Sequence, residues 1–526
     1  MQTLSFDNQQ IISYANQITS ISGGYLLQGA NVSLEFEVQP IQYFRHGWQS
    51  WSLTTWQDIN FRLPILKPDI FHSRQTDPVY ARYPNPNGSW IGAVQLQNGK
   101  VLLLGALNLE AHVAFRQDVL QGWYETGSGE WFVAYGDELE VFEKYANLLK
   151  KRFGQGKAQE SPKVWCSWYS LYDTITEKKL GQVLDGLGDL PFDVFQIDDG
   201  WEIGAGDWEA NAKFPSGMNG MAAQIKATGR KAGLWLAPLL VGKSSLLYRE
   251  HPEWLLRSVE GGYVFAGFEF GEELYALDAT HPKAAEWLGN LIKKVRSWGY
   301  DYLKLDFLYA GALPGIRHKD EPRETAYRHA LEIIREAAGD AYLLLCGCPI
   351  LPSLGLCDAM RVGADVAGFW DSKFYSHYLY NQTAPSLKNA IRTTAHRLWL
   401  APLVHIDPDV AYFENSNSLT PEQKGLMQDL TEICDFKACS DLPVSWTDSE
   451  RKAVRDWLEN EHTVQRSGRY TFEIEDRQVD FSPAIPLPPI PSGLDWLVYH
   501  ILSFIANQLW ALKLWHRVLR YRATKG

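Results

Sequence analysis

Three short stretches place acidic side chains at the ends of apolar runs. DVFQIDDGWE carries Asp198 and Asp199, YLKLDF carries Lys304 and Asp306, and MRVGAD carries Arg361 and Asp365. An acidic group inside an apolar strand is costly unless it is paired, so one such aspartate alone would read as a helix N-cap or a buried salt bridge. Three of the same kind point to a shared task. A carboxylate on one side of an anomeric carbon and a carboxylic acid on the other, placed to protonate the leaving oxygen, cleave a glycosidic bond with retention. In YLKLDF the two-residue period of a strand puts Lys304 and Asp306 on one face. An ammonium there favours the charged carboxylate that a nucleophile needs. Asp365 sits past a glycine in a loop-like context beside Phe369 and Trp370. Partial desolvation in such surroundings raises a carboxyl pKa towards what a general acid needs.

These residues need a scaffold that gathers strand ends. From Ser161-Pro162 onward, compact apolar runs (VWCSWY, DVFQID, KAGLWLAP, YLKLDF, AYLLLCG, AMRVGAD) alternate with helix-like segments such as AAEWLGNLIKKVRSWG and ETAYRHALEIIREAAG. That alternation is the mark of a parallel sheet buried on both faces, and its length over 161–440 fits a (β/α)₈ TIM barrel, whose strand C-termini face the active site. A doubly wound open sheet is the competing fold, but no glycine-rich first turn supports it. Residues 1–160 read as an N-terminal β-sandwich: NVSLEFEVQP, GSWIGAVQLQ, KVLLLGALNL and EWFVAYGDELEVF are separated by Gly, Asn and Pro turns, with little helical signal. Residues 441–482 form a short, truncated C-terminal β-type region ending in RYTFEIEDRQVDF. A Pro-rich linker (483–493) and an apolar, basic helical tail (494–526) complete the multidomain chain.

At 526 residues the chain is long enough for several domains. Its 21 Trp, 25 Tyr and 23 Phe supply either large cores or the flat rings that pack on sugar faces. A net charge of −12 argues against a nucleic-acid partner, which needs a basic footprint. MQTLSFDNQQ lacks the basic and apolar regions of a secretory signal. The six cysteines form no zinc pattern and no disulfide framework. Reduced thiols in a cytoplasmic protein are the expectation, with no metal and no cofactor.

The motifs in order, HGWQSW (46–51), WCSWY (165–169), FQIDDGWE (195–202), GDW with FPS (206–216), LWLAP (234–238), YLKLDFLYAGALPG (302–315), CGCPILP (346–352) and MRVGADVAGFW (360–370), resemble glycoside hydrolase family 36, in particular its bacterial-type α-galactosidases. Each motif alone is weak, and together in order they are strong. The resemblance implies Asp306 as nucleophile and Asp365 as acid/base. It implies that Asp198 and Asp199 accept from the 4- and 6-hydroxyls of the sugar, and that Lys304 and Arg361 hold neighbouring hydroxyls. Trp235, Trp168 and Tyr169 would wall the pocket, Trp51 would reach over its mouth, and Cys346 would lie beside the 2-hydroxyl. Plainer readings stand beside these: barrel core for Trp168 and Tyr169, sandwich core for Trp51, apolar filler for Cys346, and a solvated loop for Asp207 and Trp208. His396 and His405 read as structural.

The activity this implies is retaining hydrolysis of terminal α-linked galactose from oligosaccharides such as melibiose or raffinose. Galactosyl transfer and α-N-acetylgalactosaminidase action are alternatives on the same scaffold, and a non-catalytic sugar-binding protein is an alternative of another class. The family usually closes with a β-sandwich, and this chain departs from that. Its tail is mostly apolar from Trp496 to Leu512 and then carries Lys513, Arg517, Arg520, Arg522 and Lys525. The tail reads equally as a peripheral helix at a membrane interface or as one packed on the barrel or a partner subunit, with a full span ranked below both. The oligomeric state is left open.

Overall fold

The computed structural model describes residues 2–6, 9–64, 76–156 and 160–511. The N-terminal part is built from two antiparallel sheets. One runs Gln2–Phe6, Gln9–Tyr14, Asn31–Phe36, Val119–Tyr124, Ala111–Arg116, Asn87–Ser89, and the other runs Gln17–Ile21, Gly24–Gly29, Gly129–Gly136, Val101–Ala106, Ile91–Leu96, Pro40–Arg45, Thr55–Asp58. The strand Val101–Ala106 is buried at every position, while Val119–Tyr124 alternates buried and half-buried residues, as a strand with one face on a core should.

One element departs from the all-strand expectation. Residues Glu138–Phe153 form helix α1. DELEVF alternates like a strand over its first residues, but the longer window places Val141, Phe142, Tyr145, Ala146 and Leu149 on one buried helical face. Glu138 and Glu140 in the first turn and Lys150, Lys151 and Arg152 in the last complement the helix dipole.

The parallel sheet comprises β1 (Val164–Cys166), β2 (Val194–Ile197), β3 (Lys231–Leu236), β4 (Tyr302–Leu305), β5 (Tyr342–Leu345), β6 (Ala359–Arg361), β7 (His405–Asp407) and β8 (Ala438–Cys439). From β1 to β7 each strand pairs with its neighbour in chain order, and β8 pairs back on β1, so the sheet curls into a TIM-like domain. Beyond the end of β7, the Ala411 amide donates to the Ala438 carbonyl of β8 at 2.8 Å. Helices α2 (Glu177–Leu187), α3 (Gly217–Ala227), α4 (Pro282–Ser297), α5 (Arg323–Ala338), α6 (Leu387–Ala395), α7 (Pro421–Cys434) and α8 (Asp448–Glu459) alternate with the strands. Between β5 and β6 stands only the single turn Ile350–Ser353. The strand–helix rhythm runs on through α8, past residue 440, because the last strand still needs a helix to cover it. A three-stranded antiparallel sheet follows (Val464–Arg466, Thr471–Ile474, Arg477–Asp480), and helix α9 spans Gly493–Ala511.

Docking between the N-terminal sheets and the parallel sheet is built from buried polar groups. The Arg397 guanidinium, fully buried, donates to four backbone carbonyls: Gly47 (2.9 Å), Gln49 (3.0 Å), Ser50 (2.5 Å) and Val362 (2.8 Å). Ser50 N also donates to Cys348 O at 3.0 Å, so the HGWQSW loop is stitched to the loop after β5. At the start of α5, Glu324 and Thr325 amides donate to Glu110 Oε1 at 2.7 and 3.0 Å, so a carboxylate from the N-terminal part caps that helix. Arg323 pairs with Asp77 and Glu125 beside it.

Among the described residues no helix is long and apolar enough to cross a membrane. The side chain of Asp495 in α9 meets His377 at 2.8 Å, while Leu494, Trp496, Leu497, Ile501 and Phe504 are exposed. The basic residues from Lys513 to Lys525 lie outside the described residues.

Candidate active site

The acidic residues singled out above all leave the C-terminal ends of the parallel strands, because a strand's last inward side chain points into the mouth that the loops surround. From β2, Asp198 is buried. Its Oδ2 accepts from Lys304 Nζ at 2.8 Å and Gln196 Nε2 at 2.6 Å, and its Oδ1 from the Asp199 amide at 3.0 Å. Burial opposes the Lys304 charge, yet Asp198 and the other nearby anions outweigh that and hold its pKa well above the usual lysine value. Lys304 therefore bonds Asp198, not Asp306, although both project from β4. Period-two spacing gives the shared face but not the cross-strand partner.

Asp306 has different partners. Its Oδ2 accepts from the Trp235 indole N–H at 3.1 Å, and its Oδ1 from the Phe307 amide at 2.7 Å. Phe307 takes the left-handed conformation (φ 53°), turning the chain sharply after the carboxylate.

Asp365 is the most open of these acids, with its side chain 36% exposed, and its Oδ1 accepts from Arg361 Nη1 at 3.1 Å. Burial raises its pKa, with Arg361 opposing and the Asp306 charge adding to the rise. Phe369, one of the aromatics expected beside it, is itself exposed. Asp199 stands next to Glu202, and burial together with that second carboxyl pushes its pKa well up.

Aromatic rings line one side. Trp235 lies 6.0 Å from Phe270, at the tip of the hairpin Phe265–Ala276, and 6.0 Å from Trp208. Trp51, from the N-terminal part, sits 5.3 Å from Phe307 in an edge-on contact, so it belongs to the junction between the two units. Gly347 makes room for it: at φ 56° a Cβ there would stand 3.1 Å from both the Trp51 ring and the Phe307 backbone. Cys346 is buried at the end of β5, where burial and the Asp306 charge push its thiol pKa up. Trp168 packs on Tyr172, with centroids 5.3 Å apart, and Tyr169 turns its hydroxyl to Asp409.

Sequence reading missed the acids at the end of β7. In HIDPD, Asp407 Oδ2 accepts from Arg361 Nε at 3.2 Å, and Asp409 accepts Arg361 Nη1 and Nη2 at 2.6 and 2.7 Å. The signal was the same one used elsewhere, carboxylates at an apolar strand's end, but the Asp-Pro-Asp run reads as a turn. A separate cavity of about 260 Å³ lies between the N-terminal part and residues 380–383, bordered by Pro64 and Thr76. None of these carboxylates lines it, so it is not the site of this chemistry.

Clustered carboxylates with a buried lysine and arginine, walled by aromatic rings at the mouth of a TIM-like sheet, are an arrangement suited to glycosidic-bond cleavage. The melibiase family model matches residues 126–337. The α-galactosidase TtGalA of Thermus thermophilus, solved with p-nitrophenyl α-D-galactopyranoside, is 44% identical, with a TM-score of 0.88 over 92% of this chain and 99% of that one. α-Galactosidase AgaA of Geobacillus stearothermophilus is 28% identical over 208 residues, 36% of this chain and 27% of the relative. α-Galactosidase 1 of Pediococcus pentosaceus is 31% identical over 220 residues, 36% of this chain and 29% of the relative. The matched segments thus span under a third of those two curated relatives. The chain belongs to glycoside hydrolase family 36, the melibiase family.

Proposed function

We propose that this protein is a retaining α-galactosidase that releases terminal α-linked galactose from oligosaccharides. The observation that carries the reading is the contrast between its two strand-end acids. Asp306 is held by two N–H donors, which stabilise a carboxylate. Asp365, half-buried, is kept prone to protonation by partial desolvation and by the charge of Asp306, against the opposing Arg361.

In the first step Asp306 attacks the anomeric carbon while Asp365 gives its proton to the leaving oxygen. The bond to the aglycone breaks, and a galactosyl ester forms on Asp306. In the second step Asp365, now a carboxylate, takes a proton from water as that water attacks the same carbon, and Asp306 leaves unchanged. The trio Asp198, Asp199 and Lys304 offers acceptors and a donor to the hydroxyls far from the reacting carbon. An axial 4-hydroxyl that satisfies them is accepted, and an epimer that leaves a buried acceptor unpaired is rejected. Trp235, Trp51 and the rings around them cover the apolar sugar face.

Purified protein with an aryl α-galactoside tests this. The wild type turns over, and Asp306→Ala and Asp365→Ala lose activity. Turnover that survives loss of Asp306 removes the mechanism.

A further inference from the structure

Asp409 has no part in the reaction as written above, yet it is the most tightly held acid near the site. It is fully buried and sits at φ 88°, a left-handed conformation that a non-glycine residue keeps only where the surroundings enforce it. Its Oδ1 accepts from Arg361 Nη2 and from the Val410 amide at 2.8 Å. Its Oδ2 accepts from Arg361 Nη1, from the Tyr169 hydroxyl and from the Val366 amide at 2.9 Å. Val366 is the residue after Asp365, and Arg361 Nη1 is the group that touches Asp365.

We propose that Asp409 is a positioning residue for Asp365, holding the backbone that follows it and limiting Arg361 to a single shared hydrogen bond with it. The inference rests on the reading of Asp365 as acid/base. An arginine free to pair with Asp365 through both nitrogens would lock it as a carboxylate and spoil it as an acid. Asp409 occupies both terminal nitrogens and Asp407 the Nε, so Asp365 receives only a side share of one donor.

The charges facing this pair come from several strands. Asp306, Lys304 and Asp198 act on Asp365 from β4 and β2, besides Arg361. Tyr169 and Tyr172 face it from the segment after β1, and Cys346 from the end of β5. Asp409 faces Arg361, Asp365, Asp407 and Tyr169, with Cys166 and Tyr412 beyond. Arg361 is the common counter-charge of the three aspartates. Burial and the neighbouring acids push the Asp409 pKa up to about 7, with Arg361 opposing.

The test is Asp409→Asn and Asp409→Glu, assayed across pH with an activated nitrophenyl α-galactoside and with an oligosaccharide whose leaving group needs a proton. Removing the Asp409 charge hands more of Arg361 to Asp365, so the alkaline limb of kcat/KM moves down by about 1 pH unit in the Asn variant. The loss is roughly 10–100-fold on the oligosaccharide and only a few-fold on the activated aryl substrate. Asp409→Glu keeps the charge and leaves the limb in place. If Asp409→Asn does not fold, Tyr169→Phe, which removes one hydroxyl bound to Asp409, splits the two substrates in the same sense. Turnover that depends on Asp365, with the limb and the leaving-group ratio unmoved in these variants, overturns the role of Asp409 alone. Turnover indifferent to Asp365 overturns the acid/base reading instead.

Discussion

Lys304 Nζ and Asp198 Oδ2 lie 2.8 Å apart at the ends of β4 and β2, with both side chains nearly excluded from solvent. A buried pair of this kind is costly to break from one side, because the remaining charge has lost its water and its partner. Lys304→Met should cost about 3–5 kcal/mol of stability. Adding Asp198→Asn should recover part of it, since the neutral amide needs no counter-charge. Urea unfolding of Lys304→Met, Asp198→Asn and the double variant checks this, and a double-variant loss equal to the sum of the two single losses would show that the pair is not coupled.

On the proposed mechanism the proton on Asp365 sets the alkaline side of activity. Burial and the Asp306 charge raise its pKa above that of a free carboxyl, with Arg361 opposing. The acid form is present below that raised value and is lost as pH rises through it, so kcat/KM should fall there. For substrates with strongly acidic phenol leaving groups, which depart without help, the fall should be shallower. The pH profiles of two aryl α-galactosides differing in leaving-group pKa provide the measurement.

Arg397 joins the HGWQSW loop to the loop after β6 through four carbonyls and no carboxylate. Burial without a counter-charge lowers its pKa to about 9. A lysine has a single donor head and cannot reach all four oxygens. Arg397→Lys should cost about 2–4 kcal/mol through unsatisfied carbonyls. It should also lower kcat/KM at least roughly tenfold by releasing Trp51 from its seat. Unfolding and steady-state assays read the two effects separately.

His396 ties α6 to the C-terminal strands, with Nδ1 at 2.7 Å from Arg392 O and Nε2 at 2.8 Å from Tyr470 OH. Burial lowers its pKa to about 3. The unfolded chain binds this proton below about pH 6.5 and the folded chain does not, so stability falls with pH through that window. Between pH 7.5 and 5.5 the loss from this residue is about 1.4 kcal/mol. Asp409 and Asp441, whose pKa values burial raises to about 7 and about 6, act with the opposite sign. The comparison is therefore wild type against His396→Asn, whose stability should fall less over the same range.

The carboxylates at the ends of β2, β4 and β6 were legible in the sequence because acids after apolar runs are rare without a reason. The antiparallel N-terminal sheets and the parallel TIM-like sheet were legible from alternation and strand–helix rhythm. Partner choice was not. Lys304 and Asp306 share a face, but which anion the ammonium meets depends on β2, two strands away in the sheet. Asp409 carried the same strand-end signal, but its role was hidden for a similar reason, since a positive φ and a bidentate arginine partner exist only once β6 and β7 lie side by side. Helix α1 was hidden by a strand-like first turn whose helical face emerges only over a longer window.

The central claim is that Asp306 forms a covalent bond to the sugar. A fluorinated galactosyl fluoride, which forms the glycosyl ester quickly and releases it slowly, followed by peptide mass spectrometry, tests this directly. The account predicts a label on the peptide carrying YLKLDF, absent in Asp306→Ala. A label on another carboxylate, or full turnover with no label at all, would contradict it.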